Sequence, residues 1–324
     1  MAKLPSWIYT QSAVLPYRMR GGGLEVLIVT SRKGSRWVLP KGIVEPGMTA
    51  AASAAKEAME EAGVEGRVVA QSLGKYGYRK WGGTCEVEVF PMEVTTQRKK
   101  WPESTFRRRE WVSLEEAVTR LDHDKLRKLL RRLPDALEEL AGAGPVFTAL
   151  GKPPRVVYLF RHAKSSWEDP TLADVDRPLA PRGRRACETM GRYMRFADVR
   201  PDVVLCSPSV RTRQTIETLL PALDGDVPVA YEEALYHGGP DDLMDRLRRV
   251  PDKFNSVLIV GHNPALQALA VSLAGAGDPD EMARLRAKFP TAGMATLVLR
   301  EDHWRDLAPD ACELHSFVVP RELA

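Results

Sequence analysis

Residues 141–154, AGAGPVFTALGKPP, interrupt the chain with a segment rich in Gly, Ala and Pro. Glycine loosens the backbone and the paired prolines stiffen it, so this composition is typical of a linker. The chain is also longer than most single domains and long enough for two, each with a core of its own. The sequence therefore predicts a first domain over residues 1–140, a linker over 141–154 and a second domain over 155–324.

Composition and charge are those of an ordinary globular protein. The 324 residues are 44% hydrophobic and 28% charged, which excludes a disordered or collagen-like chain. Residues 1–150 carry a net charge of +6 and the remainder −2. This early basic excess suits a small polyanion rather than a nucleic-acid polymer, because long runs of like charge are missing. We interpret the densest cluster, Arg107 to Arg109, as loop charge.

Cysteine spacing and hydropathy indicate the compartment. The four cysteines are far apart and have no C-x-x-C spacing, which predicts reduced thiols rather than a disulfide framework or a zinc site. The N-terminus lacks the apolar core of a signal peptide, and the longest apolar stretch falls short of the roughly 20 residues of a membrane span. We expect a cytoplasmic protein without membrane contact.

The first half of the chain mixes strand and helix signals. Strands are predicted at Ile8–Leu15, Leu24–Thr30 and Glu86–Phe90. Ser113 and Glu116 form an S-x-x-E capping box that opens a helix. Leucines at i, i+3, i+4 and i+7 predict one further helix from Leu126 towards Leu140. The first half is therefore expected to combine a mixed sheet with flanking helices.

The second half alternates short apolar runs with helical stretches. The runs are residues 156–160, 203–206 and 257–260, and the helical stretches are 182–195, 210–220 and 265–274. Apolar runs without polar alternation are typical of strands that are buried on both faces. The sequence predicts a mostly parallel sheet with helices on both faces, so the whole chain combines α/β and α+β folds.

Three glutamates, Glu57, Glu60 and Glu61, share one face of an Ala-rich helix that Thr49 opens and Gly63 closes. Their spacing stacks three carboxylates within about one turn, where they repel one another unless a cation lies among them. Oxygen ligands at this density suit Mg²⁺ or Mn²⁺, which also take phosphate oxygens from a substrate. Taken alone, the same spacing more often marks a solvated acidic face.

The loop before that helix favours the metal site. PKGIVEPG (40–47) and KEAMEEAGV (56–64) resemble the Nudix box of pyrophosphohydrolases, G-x5-E-x7-R-E-U-x-E-E-x-G-U, in which U is bulky and aliphatic. Gly42 matches the opening glycine of the box. The resemblance covers about the first 140 residues and implies the Nudix fold, a mixed sheet with flanking helices and a loop-helix-loop box.

Matched residue by residue, the resemblance implies that Glu57, Glu60 and Glu61 bind Mg²⁺ or Mn²⁺. One of them deprotonates the attacking water, with Glu60 as a candidate and the choice left open. Three positions depart from the box, namely Met48 for its glutamate, Lys56 for its arginine and Ala58 for its aliphatic residue. Because the first two positions usually form an ion pair in the family, we expect a structural brace to be lost while the metal ligands remain.

Other residues of the first half are candidates for contact with substrate. Four cations lie just before or within the box and suit a triphosphate: Arg32, Lys33, Arg36 and Lys41. Each of them is equally typical of a solvated strand edge. Glu103 is either an additional ligand or an exposed loop carboxylate. Tyr76, Tyr78 and Trp81 are candidates for stacking on a base or for the core.

Cations follow three of the apolar runs in the second half, where a doubly wound sheet places its ligand site. Arg161 and His162 follow the first run, Arg211 lies shortly after the second, and His262 follows the third. Unpaired cations gathered there repel one another, and no acidic cluster adjoins these motifs, so an anion is their natural partner. Arginine binds phosphate through paired hydrogen bonds, and a histidine nitrogen can attack phosphorus.

The motifs around these cations resemble those of the histidine phosphatase superfamily, particularly its short SixA-like branch. They are RHAKSSW (161–167), SPSVRTRQT (207–215) and GHNP (261–264). The resemblance covers about residues 155–320. It implies an α/β phosphatase fold with a mostly parallel sheet and a reaction that needs no metal.

The same resemblance implies a role for each cation. His162 is the nucleophile, and the phosphoryl group is bound by Arg161, Arg211 and His262. Lys164 and Ser165 are candidates for phosphate contact. The acid that protonates the leaving group stays open, because Glu233 and His237 lie where many relatives have a carboxylate while SixA-like members often lack a recognisable one.

A chain that joins these two families resembles two-domain MutT-like proteins that remove oxidised guanine nucleotides. The resemblance implies hydrolysis of 8-oxo-dGTP and 8-oxo-GTP to the diphosphate, and onward to the monophosphate by the second domain. The stretch WPES…REWVSLEEA is also similar to Nudix members that act on diadenosine polyphosphates, an alternative substrate. A third alternative makes the second domain a phosphoprotein phosphatase or a module for regulation or self-association. The expected partners are small nucleotides rather than nucleic-acid polymers.

Overall fold

The computed structural model describes residues 6–80, 82–143, 152–223 and 226–323. The chain divides into two compact units, one of residues 6–152 and one that contains residues 153–324. Most of the linker predicted over 141–154 lies outside the described residues, and so does Trp81. All four cysteines are buried and unpaired. Within the described ranges, no helix combines the length and the apolar character needed to cross a membrane.

A mixed sheet forms the centre of the first unit. Its strands are β1 (Thr10–Arg20), β2 (Gly23–Thr30), β3 (Trp37–Val38), β4 (Lys41–Ile43), β5 (Val64–Val68), β6 (Gly74–Lys80), β7 (Gly83–Gln97) and β8 (Arg109–Ser113). β1 pairs antiparallel with β2 and β4 and parallel with β7, which also pairs with β5 and β6. The three predicted strands correspond to β1, β2 and β7, and the mixed sheet confirms the predicted fold class.

The helices of this unit begin and end where the sequence provides caps. Those that the structure describes are α1 (Ala50–Ala62), α2 (Leu114–Arg120), α3 (Asp124–Arg131) and α4 (Leu133–Ala143). Thr49 Oγ1 accepts a hydrogen bond from the N–H of Ala52 at 3.2 Å and starts α1. Gly63 ends α1 in the left-handed conformation, with φ of 60°, which glycine adopts without a steric penalty. Ser113 starts α2 in the same way as Thr49 starts α1.

The prediction of one helix from Leu126 towards Leu140 is wrong, because the structure divides it into α3 and α4. Pro134 gives the physical reason. Proline has no N–H to donate to the carbonyl of Leu130, and its ring would clash there in a continuous helix. In the first turn of a new helix the missing N–H costs nothing, so α4 begins at Leu133.

A mostly parallel sheet forms the second unit. Its strands are β9 (Arg155–Arg161), β10 (Val203–Cys206), β11 (Val229–Tyr231), β12 (Ser256–Gly261), β13 (Ala274–Gly277), β14 (Met294–Leu299) and β15 (Cys312–Val318). Its helices are α5 (Pro181–Phe196), α6 (Val210–Leu219), α7 (Ala234–His237), α8 (Pro240–Arg248), α9 (Ala265–Leu273) and α10 (Pro279–Ala287). The order is β11-β10-β12-β9-β14-β15-β13, with the first four strands parallel and β14 antiparallel to its neighbours. This arrangement confirms the predicted α/β fold.

The parallel register brings the ends of three strands to one edge of the sheet. Cys206 of β10 lies opposite Val260 of β12, and Gly261 lies opposite Arg161 of β9. β9 is buried from its first residue to Phe160, as expected of a strand that is covered on both faces. The residues that follow these three strands therefore emerge side by side.

Candidate active sites

Glu57 packs directly against the glycine that opens the box. A Cβ atom at Gly42 would lie 1.7 Å from Glu57 Oε1, so any larger residue there would displace this carboxylate from its position. Ser53 joins the loop to the helix, because its hydroxyl donates to the carbonyl of Ile43 at 3.1 Å and accepts from the N–H of Glu45 at 3.2 Å. Gly42 and Glu57, distant in the sequence, thus belong to one packed unit of β4 and α1.

Glu61 is buried and held by an arginine from another part of the chain. Arg107 Nη2 binds Glu61 Oε1, and the N–H of Lys41 donates to Oε2 at 3.2 Å. Arg107 also binds Glu103 and donates to the carbonyl of Thr30 at 2.8 Å. Burial raises the pKa of Glu61 to about 7, although Arg107 and Lys41 act to lower it. Arg107 lies in the loop before β8, as interpreted, but two carboxylates and a carbonyl hold its guanidinium in the interior.

Lys56 does have a structural partner. Its Nζ lies 2.5 Å from Glu45 Oε1 and 3.6 Å from Glu60 Oε1. The expectation that Met48 leaves this position without a brace is wrong, since Glu45 in the same loop supplies the carboxylate. The ammonium group lies between the loop and the helix and reduces the repulsion among the glutamates.

The glutamate face has the donor chemistry of a site for a hard divalent cation. Three carboxylates lie within one turn of α1. One of them, Glu57, occupies the space into which a side chain at residue 42 would extend. In the ranges that the structure describes, no three acidic, histidine or cysteine side chains converge on one point. Glu61 is instead turned to Arg107, and Glu60 lies near Lys56. The residues that would hold the ion are Glu57, Glu60 and Glu61, and this assignment stays a prediction.

Of the four cations predicted to meet a triphosphate, Lys41 lies at the glutamates. Its N–H binds Glu61, and its Nζ lies 5.6 Å from the centroid of the Tyr78 ring. The other three are exposed in the turn between β2 and β3: Arg32, Lys33 and Arg36. Tyr78 donates its hydroxyl hydrogen to Gln11 Oε1 at 2.8 Å and is partly buried, whereas Tyr76 belongs to the core. Tyr78 therefore remains a candidate for substrate contact, and Tyr76 does not.

His162 is held as a neutral ring with one nitrogen available. Its Nδ1 lies 2.7 Å from the carbonyl oxygen of Ala163. Since a carbonyl only accepts, Nδ1 carries the proton and Nε2 keeps its lone pair. Burial, together with the nearby Arg211 and Arg161, lowers the pKa of His162 to about 4, against the opposing effect of the Ala163 carbonyl. At neutral pH the ring is a neutral nucleophile.

His262 lies beside His162 with the opposite tautomer. Its Nδ1 lies 3.3 Å from Arg211 Nη2, which can only donate, so Nε2 carries the proton and donates to Ser207 Oγ at 2.7 Å. The two histidine rings have their centroids 5.0 Å apart. Burial lowers the pKa of His262 to about 3, with His162 and Arg211 adding to the effect. The structure thus brings together the residues that follow β9, β10 and β12.

The sequence reasoning missed Asp174, which orients Arg211. Asp174 Oδ2 accepts hydrogen bonds from Arg211 Nη2 at 2.7 Å and from the Tyr236 hydroxyl at 2.9 Å. Burial acts to raise the pKa of Asp174, but these two partners outweigh it and hold the pKa below its ordinary value. No acidic cluster is expected beside these motifs, and the fold adds one carboxylate from a distant segment, because the short turn at Asp174–Asp176 lies beside Arg211. No motif in the sequence marks that turn.

Arg161 has a buried donor that no described residue satisfies. Its Nη1 donates to the carbonyl of Phe289 at 2.6 Å, while its Nε is buried and has no hydrogen-bond partner within the described residues. A buried donor left without an acceptor costs about 1–3 kcal/mol.

The remaining predicted residues lie around this centre. Lys164 lines a neighbouring cavity, and Ser165 forms an isolated β-bridge with Leu179. Glu233 and His237 are exposed at α7, and the described contacts place neither of them against His162. The acid that protonates the leaving group stays open.

Two family models match the chain, one in each unit. The model of the NUDIX domain matches residues 10–133, and that of the histidine phosphatase superfamily (branch 1) matches residues 157–237. The chain joins a Nudix domain to a histidine phosphatase domain. It is a hydrolase that acts on phosphorus-containing anhydrides or phosphate esters.

Three similar proteins each match one part of this two-domain hydrolase. An uncharacterised protein of Mycobacterium tuberculosis (strain ATCC 25618 / H37Rv) is 42% identical over 164 residues, which cover 50% of this chain and 99% of that protein. Nudix hydrolase 21, chloroplastic, of Arabidopsis thaliana is 39% identical over 122 residues, 36% of this chain and 61% of that protein. The solved structure of the protein histidine phosphatase SixA complexed with tungstate is 22% identical, covers 52% of this chain and 99% of its own, and has a TM-score of 0.44.

Proposed function

We propose that this hydrolase removes oxidised guanine nucleotides. The Nudix domain hydrolyses 8-oxo-dGTP and 8-oxo-GTP to the diphosphate, and the histidine phosphatase domain converts the diphosphate to the monophosphate. The proposal rests on one observation, that a single chain carries two phosphorus-directed sites of opposite charge. A face of carboxylates suits a metal-bound triphosphate, and a cluster of cations suits the terminal phosphate of its product. The oxidised base follows from the resemblance of the fusion to MutT-like proteins.

In the Nudix domain, the residues of α1 hold the reacting groups. Neutralisation of the phosphate charge is the chemistry that Mg²⁺ or Mn²⁺ supplies when bound by the three glutamates. Glu60 accepts a proton from the attacking water. Arg107 fixes Glu61 from the other side, and the Lys41 ammonium binds a phosphate oxygen near the same carboxylate.

In the phosphatase domain, Nε2 of His162 attacks the terminal phosphorus, and the bond from phosphorus to the leaving oxygen breaks. Arg161 and Arg211 donate hydrogen bonds to the phosphoryl oxygens, on which negative charge grows in the transition state. Asp174 keeps Arg211 in place. Water then cleaves the phosphorus–nitrogen bond, which releases phosphate and returns His162 to its neutral form.

Product analysis with 8-oxo-dGTP tests this division of labour. We expect the wild type to form the monophosphate, His162→Ala to stop at the diphosphate, and Glu60→Gln to leave the triphosphate uncleaved. Glu115→Gln, an exposed change on α2, is the matched control and should behave as the wild type. The same product distribution in the wild type and in both site variants would contradict the proposal.

The substrate itself is tested on the same enzyme with dGTP and diadenosine tetraphosphate. We expect the highest kcat/KM for 8-oxo-dGTP. A higher kcat/KM for diadenosine tetraphosphate would contradict the assignment of the base and leave the roles of the two sites unchanged.

A further inference from the structure

A cavity of about 490 Å³ lies next to the phosphatase site and is lined by cations. Its charged lining consists of Lys164, Arg182, Arg284, Lys288 and Arg321, which we call the cationic groove. None of the described residues that line it is an aspartate or a glutamate. The groove lies between the start of α5, the end of α10 and the segment after β15.

The cationic groove shares a wall with the phosphatase site. Residues 290–291 line the groove. On one side of them, the carbonyl of Phe289 accepts a hydrogen bond from Arg161 at 2.6 Å. On the other side, the N–H of Ala292 lies 3.0 Å from the carbonyl of Arg161 and 3.2 Å from that of His162. The segment 289–292 therefore borders both the groove and the residues around His162, so the two are neighbours.

Most of the charge in the groove is not neutralised by the protein. Arg284 is paired with Glu322. The other four cations have no carboxylate partner within ion-pair distance in the part of the chain that the structure describes. Like charges around one cavity repel one another, and they attract a polyanion into it. The charge pattern thus matches a ligand with more phosphate than the single group that His162 takes.

We propose that the cationic groove is the subsite for the part of a nucleoside diphosphate beyond the bond that His162 breaks. The inference rests on the proposed phosphatase activity and adds the residues that select its substrate. Lys288 and Arg321 bind the oxygens of the second phosphate, for which the arginine fork is well suited. The volume lies within the roughly 300–1,000 Å³ of small-molecule sites. A simple monoester, which lacks a second phosphate, gains nothing from the groove.

The test removes two cations from the groove in the full-length enzyme. The variant is Lys288→Gln/Arg321→Gln. The matched control, Lys253→Gln/Arg300→Gln, removes one lysine and one arginine at the opposite edge of the sheet, before β12 and after β14. Each enzyme is assayed with 8-oxo-dGDP and with p-nitrophenyl phosphate. Subtraction of the rate of the same enzyme carrying His162→Ala leaves the rate due to the phosphatase site.

We expect the groove variant to lose roughly 100-fold or more in kcat/KM for 8-oxo-dGDP, mainly through KM, since each of the two charged hydrogen bonds contributes about tenfold or more. The rate with p-nitrophenyl phosphate should change less than about twofold, which also shows that the variant is folded, and the control should change with neither substrate. Equal losses for both substrates, or no loss for 8-oxo-dGDP, overturn the proposal.

Two further outcomes also overturn it. If the groove variant loses activity only towards an acidic protein that carries phosphohistidine, the groove is a protein-docking surface. If His162→Ala leaves hydrolysis of p-nitrophenyl phosphate by the otherwise unchanged enzyme intact, the phosphatase activity itself is contradicted, and the subsite falls with it.

Discussion

Arg107 tests how the glutamate face of the Nudix domain is held in place. Arg107→Met keeps the aliphatic stem but removes the guanidinium that binds Glu61, Glu103 and the carbonyl of Thr30. The side chains of Arg107 and Glu61 are only 9% and 10% exposed. Removal of one partner from a buried ion pair costs about 3–5 kcal/mol, because the other charge is left without compensation.

The matched control is Arg98→Met, which breaks an ion pair with Glu65 whose side chains are 54% and 41% exposed. An exposed pair of this kind contributes about 0–1 kcal/mol. The assay is hydrogen exchange read peptide by peptide, since a single melting curve mixes the two domains. In Arg107→Met, we expect protection in β7 to fall by roughly 10²- to 10⁴-fold and protection in β10 to stay unchanged. A loss no larger than that of Arg98→Met would refute the reasoning.

Three further outcomes follow from the two sites. Because burial lowers the pKa of His162 to about 4, kcat/KM for p-nitrophenyl phosphate, corrected for ionisation of the substrate, should stay constant down to about pH 5 and fall as Nε2 is protonated near pH 4. A limb at the ordinary histidine pKa of about 6.5 would contradict this. Asp174→Asn should lower kcat/KM for the same substrate about tenfold, since it weakens a charged hydrogen bond; an unchanged value would exclude a positioning role. Gly42→Ala places a Cβ against the Glu57 carboxylate and should lower Nudix activity roughly 10²-fold. Gly23→Ala, whose added Cβ has its nearest contact at 3.6 Å, should leave the activity unchanged, and equal activities of the two variants would show that the packing at residue 42 is irrelevant.

The features that the sequence predicted well depend on local chemistry or on strand order. The predicted caps at Thr49, Gly63 and Ser113 lie at helix ends in the structure. Each of them affects only the turn of backbone beside it, so the local sequence is enough to predict it. The meeting of His162 with His262 follows from parallel strands, since neighbouring parallel strands end at the same edge of a sheet.

The features that the sequence did not reveal depend on contacts between distant segments. In the sequence, Arg107 is one of three consecutive arginines, which we interpret as loop charge. Only the fold shows that its side chain contacts Glu61 and Thr30. Asp174 lies in a short turn without a motif and meets Arg211 only in the folded chain. Each contact joins segments that are far apart in the sequence, so no fixed spacing of residues predicts it.

The phosphoenzyme gives the most direct test of the two-site account. The enzyme is incubated with labelled substrate, quenched in alkali, in which phosphohistidine is stable, and mapped by mass spectrometry. We predict that the phosphate is found on His162, that acid removes it, and that His162→Ala carries none. Phosphate on any other residue, or label that persists in His162→Ala, would contradict the account.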